Sequence, residues 1–247
     1  MPDRGRIGCW LLLAVLGAAA FLGWREYRRV VREEPERFPW TPLSLADPIG
    51  DYTGQKLVVL GGEPRRCEAL LGAVASGDRS VGARRGPDGA CGYDFGIELR
   101  PADTAAVRFA PAGLVTACPI AAALLLWERD VVQPAAERLL GERVVRVDHL
   151  GSYSCRRLYG RSEGAYSEHA TANAVDIAGF RLAGGRRISV LSAWPGMGQD
   201  AAFLRTVRDG ACDVFATVLS PDYHAAHADH LHFDQASRGA MGWRGCR

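Results

Sequence analysis

The sequence predicts an α+β fold in which helices pack on a small antiparallel sheet. Three observations carry that expectation. A strongly helix-forming run at 118–140 comes first and a series of short apolar strand candidates follows it. Gly184-Gly185 separates two of those candidates as a hairpin turn. Beyond the N-terminal segment stand Cys67, Cys91, Cys118, Cys155, Cys212 and Cys246, an even set that suits disulfide clips in an oxidising compartment.

Taken in chain order, residues 8–24 carry no charge. Arg4 and Arg6 precede them, and Arg25, Arg28 and Arg29 follow. The run is at the short limit for spanning a bilayer and reads as an uncleaved anchor, with a cleaved signal as the alternative. Trp10 and Trp24 suit the two interfaces. Residues 26–56 are charged and then rich in proline, at Pro35, Pro39, Pro42 and Pro48, and read as a stalk or as a strap lying on the domain. The three units expected are therefore an N-terminal membrane segment at 1–25, a Pro-rich stretch at 26–56 and one folded domain at 57–247.

Within that domain, 56–60 is a strand candidate and 66–77 a short helix. Residues 82–92 form a loop around Gly86-Pro87-Asp88-Gly89, and 98–109 holds apolar runs of strand length. Pro119 suits the first turn of a helix over 120–129. Residues 131–140 continue it, with Pro134 either kinking the helix or opening a second one, and Gly141 stops it. Strands are expected at 144–150, 174–182, 187–192, 214–219 and 231–234, with a helix at 200–208 capped by Gly210. Pairing by sequence proximity gives Cys67–Cys91, Cys118–Cys155 and Cys212–Cys246.

Several function classes are excluded at this level. Of 30 basic and 28 acidic residues, seven Arg and five acids lie in 1–37, so the remainder is neutral and offers no electrostatic steering toward nucleic acid. No CxxC pair suggests a thiol redox centre or zinc ribbon. No GxSxG elbow marks a serine hydrolase.

Histidine is the informative residue. His224, His227, His230 and His232 crowd one stretch, and His149 and His169 stand apart. A catalytic zinc takes three His, Asp or Glu ligands and leaves a fourth position open. Residues i and i+2 of a strand share a face, so His230 and His232 project together. His169 and Asp176 can supply further groups. Asp176 lies between Val175 and Ile177, and an acid in an apolar strand must be paired or bind metal. The competing reading is a solvated His-rich loop.

Ser167-Glu168-His169, Asp176 and His230-Leu231-His232 resemble the metal signature of zinc peptidases that include D-Ala-D-Ala carboxypeptidases, lysostaphin-type enzymes and the hedgehog signalling domain. Longer strings resemble the bacterial extensin-like C-terminal domain family over roughly residues 60–247. They include Cys118-Pro119, Gly151-Ser152-Tyr153-Ser154-Cys155-Arg156, Val218-Leu219-Ser220-Pro221 and His227 through Asp234. The HxxHxH run from His227 is similar to that of penicillin-insensitive murein endopeptidases. The glycine that precedes the Asp motif in many relatives is replaced by Ala172 here or is absent, and His224 stands where the extensin-like family often has Asn.

The peptidase resemblance implies a hedgehog/D-Ala-D-Ala peptidase-like sheet with a zinc site. It implies Zn2+ on His169, Asp176 and His232, with His230 and His227 handling protons or the oxyanion and Arg156 holding a substrate carboxylate. Asp229 or Asp234 would orient a histidine. The activity implied is zinc-dependent hydrolysis of peptide bonds in peptidoglycan stem peptides or crosslinks. The alternative is a non-catalytic zinc-containing wall-binding module. The implied location is the bacterial inner membrane with a periplasmic domain, or the periplasm after signal cleavage. The bond cut would depend on loops such as 157–168 and 193–200.

Overall fold

The computed structural model describes residues 4–74, 78–86, 89–100, 107–239 and 243–247. The expectations at 75–77, 87–88 and 101–106 fall outside the described residues.

The apolar run lies in one helix, α1 (Arg4–Glu33), and Gly8–Glu33 is long and apolar enough to cross a membrane. By length and composition it fits an anchor or a signal sequence equally. After α1 a short turn, Pro35–Arg37, leads into an irregular segment whose Leu43 and Leu45 are buried in the main core. This stretch therefore lies on the domain. Arg129 donates hydrogen bonds to the carbonyls of Leu45 and Asp47, and Asp130 accepts from the Ile49 N–H.

Residues 56–60, expected as a strand, belong instead to α2 (Thr53–Val59) and the turn that follows it. The apolar run is short enough to serve either structure, and Leu57 and Leu60 reach the core from one helical face. α3 (Pro64–Val74) follows. Short strands come next: β1 (Arg79–Val81), β2 (Arg84–Arg85), β3 (Gly92–Tyr93), β4 (Gly96–Glu98), β5 (Arg108–Ala110) and β6 (Val115–Thr116). β1, β4 and β6 form one small antiparallel sheet, and β2 and β3 pair across the expected loop.

α4 (Cys118–Trp127) is apolar on every side and buried, as such a helix must be. A π-turn, Glu128–Val132, separates it from α5 (Gln133–Leu140), which carries Pro134 in its first turn, so the proline opens a second helix. Gly141, at φ 71°, ends it in the left-handed conformation that favours glycine. β7 (Val144–Gly151), β8 (Ala174–Leu182), β9 (Arg187–Ser189), a single turn α6 (Val190–Ala193), α7 (Gln199–Ala211), β10 (Thr217–Leu219), β11 (Leu231–Asp234) and β12 (Gly245–Cys246) complete the chain. β8 and β9 form the expected hairpin. Gly210 is not the cap of α7: it lies inside the helix, where an added Cβ would come within 2.4 Å of Val131 Cγ1.

The principal sheet has seven strands in the order β12-β10-β11-β8-β7-β5, with β9 on β8. It is larger than the small sheet expected, and it is mixed, because β5 runs parallel to β7 and β12 parallel to β10. Both parallel partners are short outer strands that the alternation pattern could not orient. Val175, Ile177, Leu231 and Phe233 point from one face into the core. There Trp127 contacts Phe180 and Phe233, and its Nε1–H donates to the Val207 carbonyl at 2.8 Å. The alternating residues, Asp176, His232 and Asp234, face the other way.

The disulfides are Cys67–Cys118, Cys91–Cys155 and Cys212–Cys246. Only the last agrees with pairing by proximity. α3 packs on α4, which puts Cys67 beside Cys118, so Cys91 pairs with the loop after β7. Cys9, on α1, is free and exposed.

Two glycines inside helices should respond oppositely to alanine. Gly72 meets open space, so Gly72→Ala is expected to stabilise by about 0.5–1 kcal/mol through helix propensity. Gly210→Ala drives a methyl into Val131 and should destabilise by about 1–3 kcal/mol. Thermal melts of both variants check this, and equal shifts of one sign would refute the packing assigned to Gly210.

Candidate metal centre

Strand register brings the first two groups together. β8 and β11 are antiparallel with Asp176 directly opposite His232, so both side chains leave the same face side by side. His169 comes from a short 3-10 turn, Glu168–Thr171, whose entry is capped by the Ser167 hydroxyl accepting from the His169 N–H. The turn ends at Ala172 with φ 56°. That left-handed geometry explains why a glycine suits the position, and alanine there costs about 1–2 kcal/mol.

Three atoms converge. His169 Nε2 lies 3.2 Å from Asp176 Oδ1 and 3.1 Å from His232 Nδ1, and the last two are 2.9 Å apart. The outer contacts of the rings decide what these atoms present. His169 Nδ1 is 2.6 Å from the Ser152 carbonyl, which only accepts, so Nδ1 carries the proton and the neutral ring offers Nε2 as a lone pair. His232 Nε2 is 3.1 Å from the Asp234 carboxylate, so it donates there and the neutral ring offers Nδ1 as a lone pair. Asp176 Oδ1 is an acceptor as well. Three acceptors held about 3 Å apart repel one another unless a cation lies among them.

The electrostatics register the same conflict. Burial would raise Asp176, but the His169 and His232 rings beside it, which donate to it when they are protonated, hold its carboxyl well below the usual carboxylate range. Burial would lower His232, but its contacts with Asp176 and Asp234 push it up to about 9. A proton on His232 relieves the repulsion, and a metal ion relieves it too. The donor set fits a divalent ion of the zinc kind: two imidazole nitrogens and one carboxylate oxygen, each ring oriented by an outer acceptor. The edges of a tetrahedron of zinc ligands are about 3.3 Å, close to the separations here.

The other sequence candidates divide. His230 Nε2 lies 3.6 Å from Asp176 Oδ1, and its Nδ1 is 2.8 Å from Asp229. His230 is thus beside the cluster with its own orienting acid. The His227 ring centroid is 5.1 Å from that of His230 and 6.0 Å from that of His232. Burial first, then the neighbouring His230 and His232, lower His227 to about 4, so it is neutral near pH 7. Its Nδ1 is buried and has no hydrogen-bond partner. Arg156 is exposed, and among the described residues its side chain makes no hydrogen bond or ion pair with the cluster. His224 accepts the Ala226 N–H and caps the turn that begins the His-rich segment. His149 stands apart, against the Pro111 carbonyl.

Residues 65–247 match the family described as extensin-like protein C-terminus. The chain belongs to this family. The extensin-like region therefore includes all three disulfides and every residue of the cluster. No curated protein and no solved structure matches the chain. The family description states no reaction, so the chemistry of the extensin-like domain has to be argued from the cluster.

Sequence reading missed two supports of this cluster. The Ser152 carbonyl fixes the His169 tautomer, and no sequence pattern identifies a main-chain acceptor. Trp194 is buried and donates Nε1–H to Asp222 at 2.8 Å, tying its loop to the segment that carries the histidines. A cleft of ≈ 1050 Å³ beside the 168–171 turn is lined by Glu168, Asn173 and Arg238 but by none of the three cluster residues. Burial raises Glu168, whose carboxylate accepts from Asn173.

Metal affinity should follow these proton positions. With His232 raised to about 9 in the metal-free protein, an ion must displace one proton below that pH, so affinity should fall about tenfold per pH unit. Calorimetry in buffers of different ionisation enthalpy reads the released proton directly, and an affinity flat between about pH 6 and 8 would contradict the arrangement. Asp234 accepts from His232 Nε2 with one oxygen and from the Ala236 N–H with the other, so Asp234→Asn, which leaves a single uncharged acceptor for the two donors, should weaken binding about 10–100-fold.

Proposed function

We propose that the domain is a zinc-dependent hydrolase that cleaves peptide bonds in peptidoglycan stem peptides or crosslinks, held at the bacterial inner membrane by an uncleaved α1. The observation that carries the reading is the set of three converging lone pairs on His169, Asp176 and His232, with His230 immediately beside it. A structural cluster would need no additional imidazole at its edge. The peptidase-like metal signature in the sequence and three disulfides suited to a periplasmic domain support the same reading.

His169 Nε2, Asp176 Oδ1 and His232 Nδ1 would hold the ion. Zinc bound there supplies Lewis acidity and brings the pKa of a bound water toward about 7. The protein's own groups do the rest. Asp229 accepts from His230 Nδ1, which leaves His230 Nε2 free to take a proton from an attacking water. His227 is neutral, so its role is to donate a hydrogen bond to a developing oxyanion rather than to deliver a proton as an imidazolium. Arg156, exposed in the loop that follows β7, is free to hold a carboxylate of the peptide.

The purified full-length protein, supplied with zinc and peptidoglycan, should release muropeptide fragments. His230→Ala should keep the bound zinc and lose about 10²–10⁴-fold in rate, whereas Asp176→Ala should lose both zinc and rate. Mass spectrometry of soluble fragments and metal analysis of each variant make the comparison. A zinc-loaded wild-type protein that releases nothing from several wall substrates would leave the non-catalytic wall-binding module as the reading.

A further inference from the structure

We propose that residues 24–56 form a rigid mount that seats the domain against an anionic phospholipid surface, so that the domain is held at a fixed height above the bilayer. This rests on the retained-anchor reading of α1 and goes beyond it, because an anchor alone is compatible with a loose tether.

The first support is the absence of slack between helix and domain. α1 runs unbroken to Glu33, and the Glu34 N–H still bonds the Val30 carbonyl. The next turn is fixed from both sides. Thr41 Oγ1 donates to the Phe38 carbonyl at 2.9 Å, and Lys56 of α2 reaches Thr41 Oγ1 at 2.9 Å and the Pro35 carbonyl at 3.3 Å. The Glu36 side chain lies against Gly50, where any Cβ would meet it at 2.5 Å. Leu43 and Leu45 then enter the core. Every few residues from Val30 to Leu45 there is a bond or a buried side chain, and a flexible stalk has none.

The second support is what this mount displays. Four aromatic rings run in contact from the end of the apolar run to the domain: Trp24–Tyr27 at 5.6 Å, Tyr27–Phe38 at 6.2 Å and Phe38–Trp40 at 5.2 Å. Trp24 is 57% exposed and Trp40 64%. An exposed Trp on the domain side, linked through rings to a Trp at the edge of an apolar span, places both at the depth where a bilayer accommodates amphipathic rings.

Charge is sorted by height in the same way. Residues 25–32 hold four Arg and one Glu, and residues 33–37 hold three Glu and one Arg. The basic stretch lies within about 12 Å of the end of the apolar run, at headgroup level, with the acids beyond it. Anionic lipid is the partner that this order fits.

The test uses the full chain in nanodiscs of zwitterionic lipid with and without anionic lipid. Intact mass first shows whether residues 1–24 are retained. Hydrogen exchange should then show residues 34–42 protected about as well as the domain core, and Lys56→Ala should speed their exchange about tenfold. Brominated lipid should quench wild-type fluorescence more strongly than that of Trp40→Phe, with a larger difference in anionic discs. An intact chain whose residues 34–42 exchange within seconds, or whose quenching is unchanged in Trp40→Phe, would overturn the mount and leave the anchor standing. A chain that has lost its N-terminus would overturn both.

Discussion

The site depends on one pairing: Asp176 of β8 opposite His232 of β11. Side chains alternate along a strand, so slipping either strand by one residue would turn one of the two groups into the apolar core and bring Val175, Ile177, Leu231 or Phe233 out. The core penalises that slip heavily, since all four apolar residues are fully buried against the helices. The same packing that stabilises the sheet therefore fixes the distance between carboxylate and imidazole. The cluster needs no separate device to hold its first two members.

The third member has a different kind of support. His169 sits on a short turn, and short turns have little stability of their own. Here the turn is tied on three sides. Ser152, just past the end of β7, receives His169 Nδ1 at its carbonyl. The Ser154 N–H donates to the His169 carbonyl, and the Ala172 carbonyl takes both the Ala117 N–H and the Ser152 hydroxyl. Ala117 immediately precedes the disulfide-bonded Cys118, and Cys155 lies just after Ser154. Two disulfides thus brace the segments that brace the turn. Cross-links that limit the unfolded chain also limit local opening around the least regular ligand.

How much of this was legible in the sequence follows from the range of each interaction. Helices α4, α5 and α7 and strands β7, β8 and β11 are marked by local periodicity, and the His and Asp positions by residue type and strand alternation. What escaped was non-local. Cys67 and Cys118 are brought together by the packing of α3 on α4, which no spacing rule encodes. β5 and β12 lie parallel to their partners because of the path of the chain, not their residues. α2 was mistaken for a strand because its apolar run is too short to show a period. The tautomer of His169 depends on a main-chain carbonyl, which carries no residue signature at all.

The near balance of charge acquires a specific consequence beside a fixed mount. Outside residues 1–37 acids and bases are equal in number, so long-range attraction to an acidic polymer supplies little encounter rate or retention. A domain on a loose tether would have to offset this with strong short-range binding. A domain seated at the bilayer does not, because confinement to a thin layer raises the effective concentration of whatever lies in that layer, without any new contact. If the proposed hydrolase reading and the mount both hold, that favours a substrate at the membrane-proximal side of the wall, recognised by short-range contacts near His230 and Arg156. It also makes weak intrinsic affinity for soluble peptide compatible with efficient turnover in place.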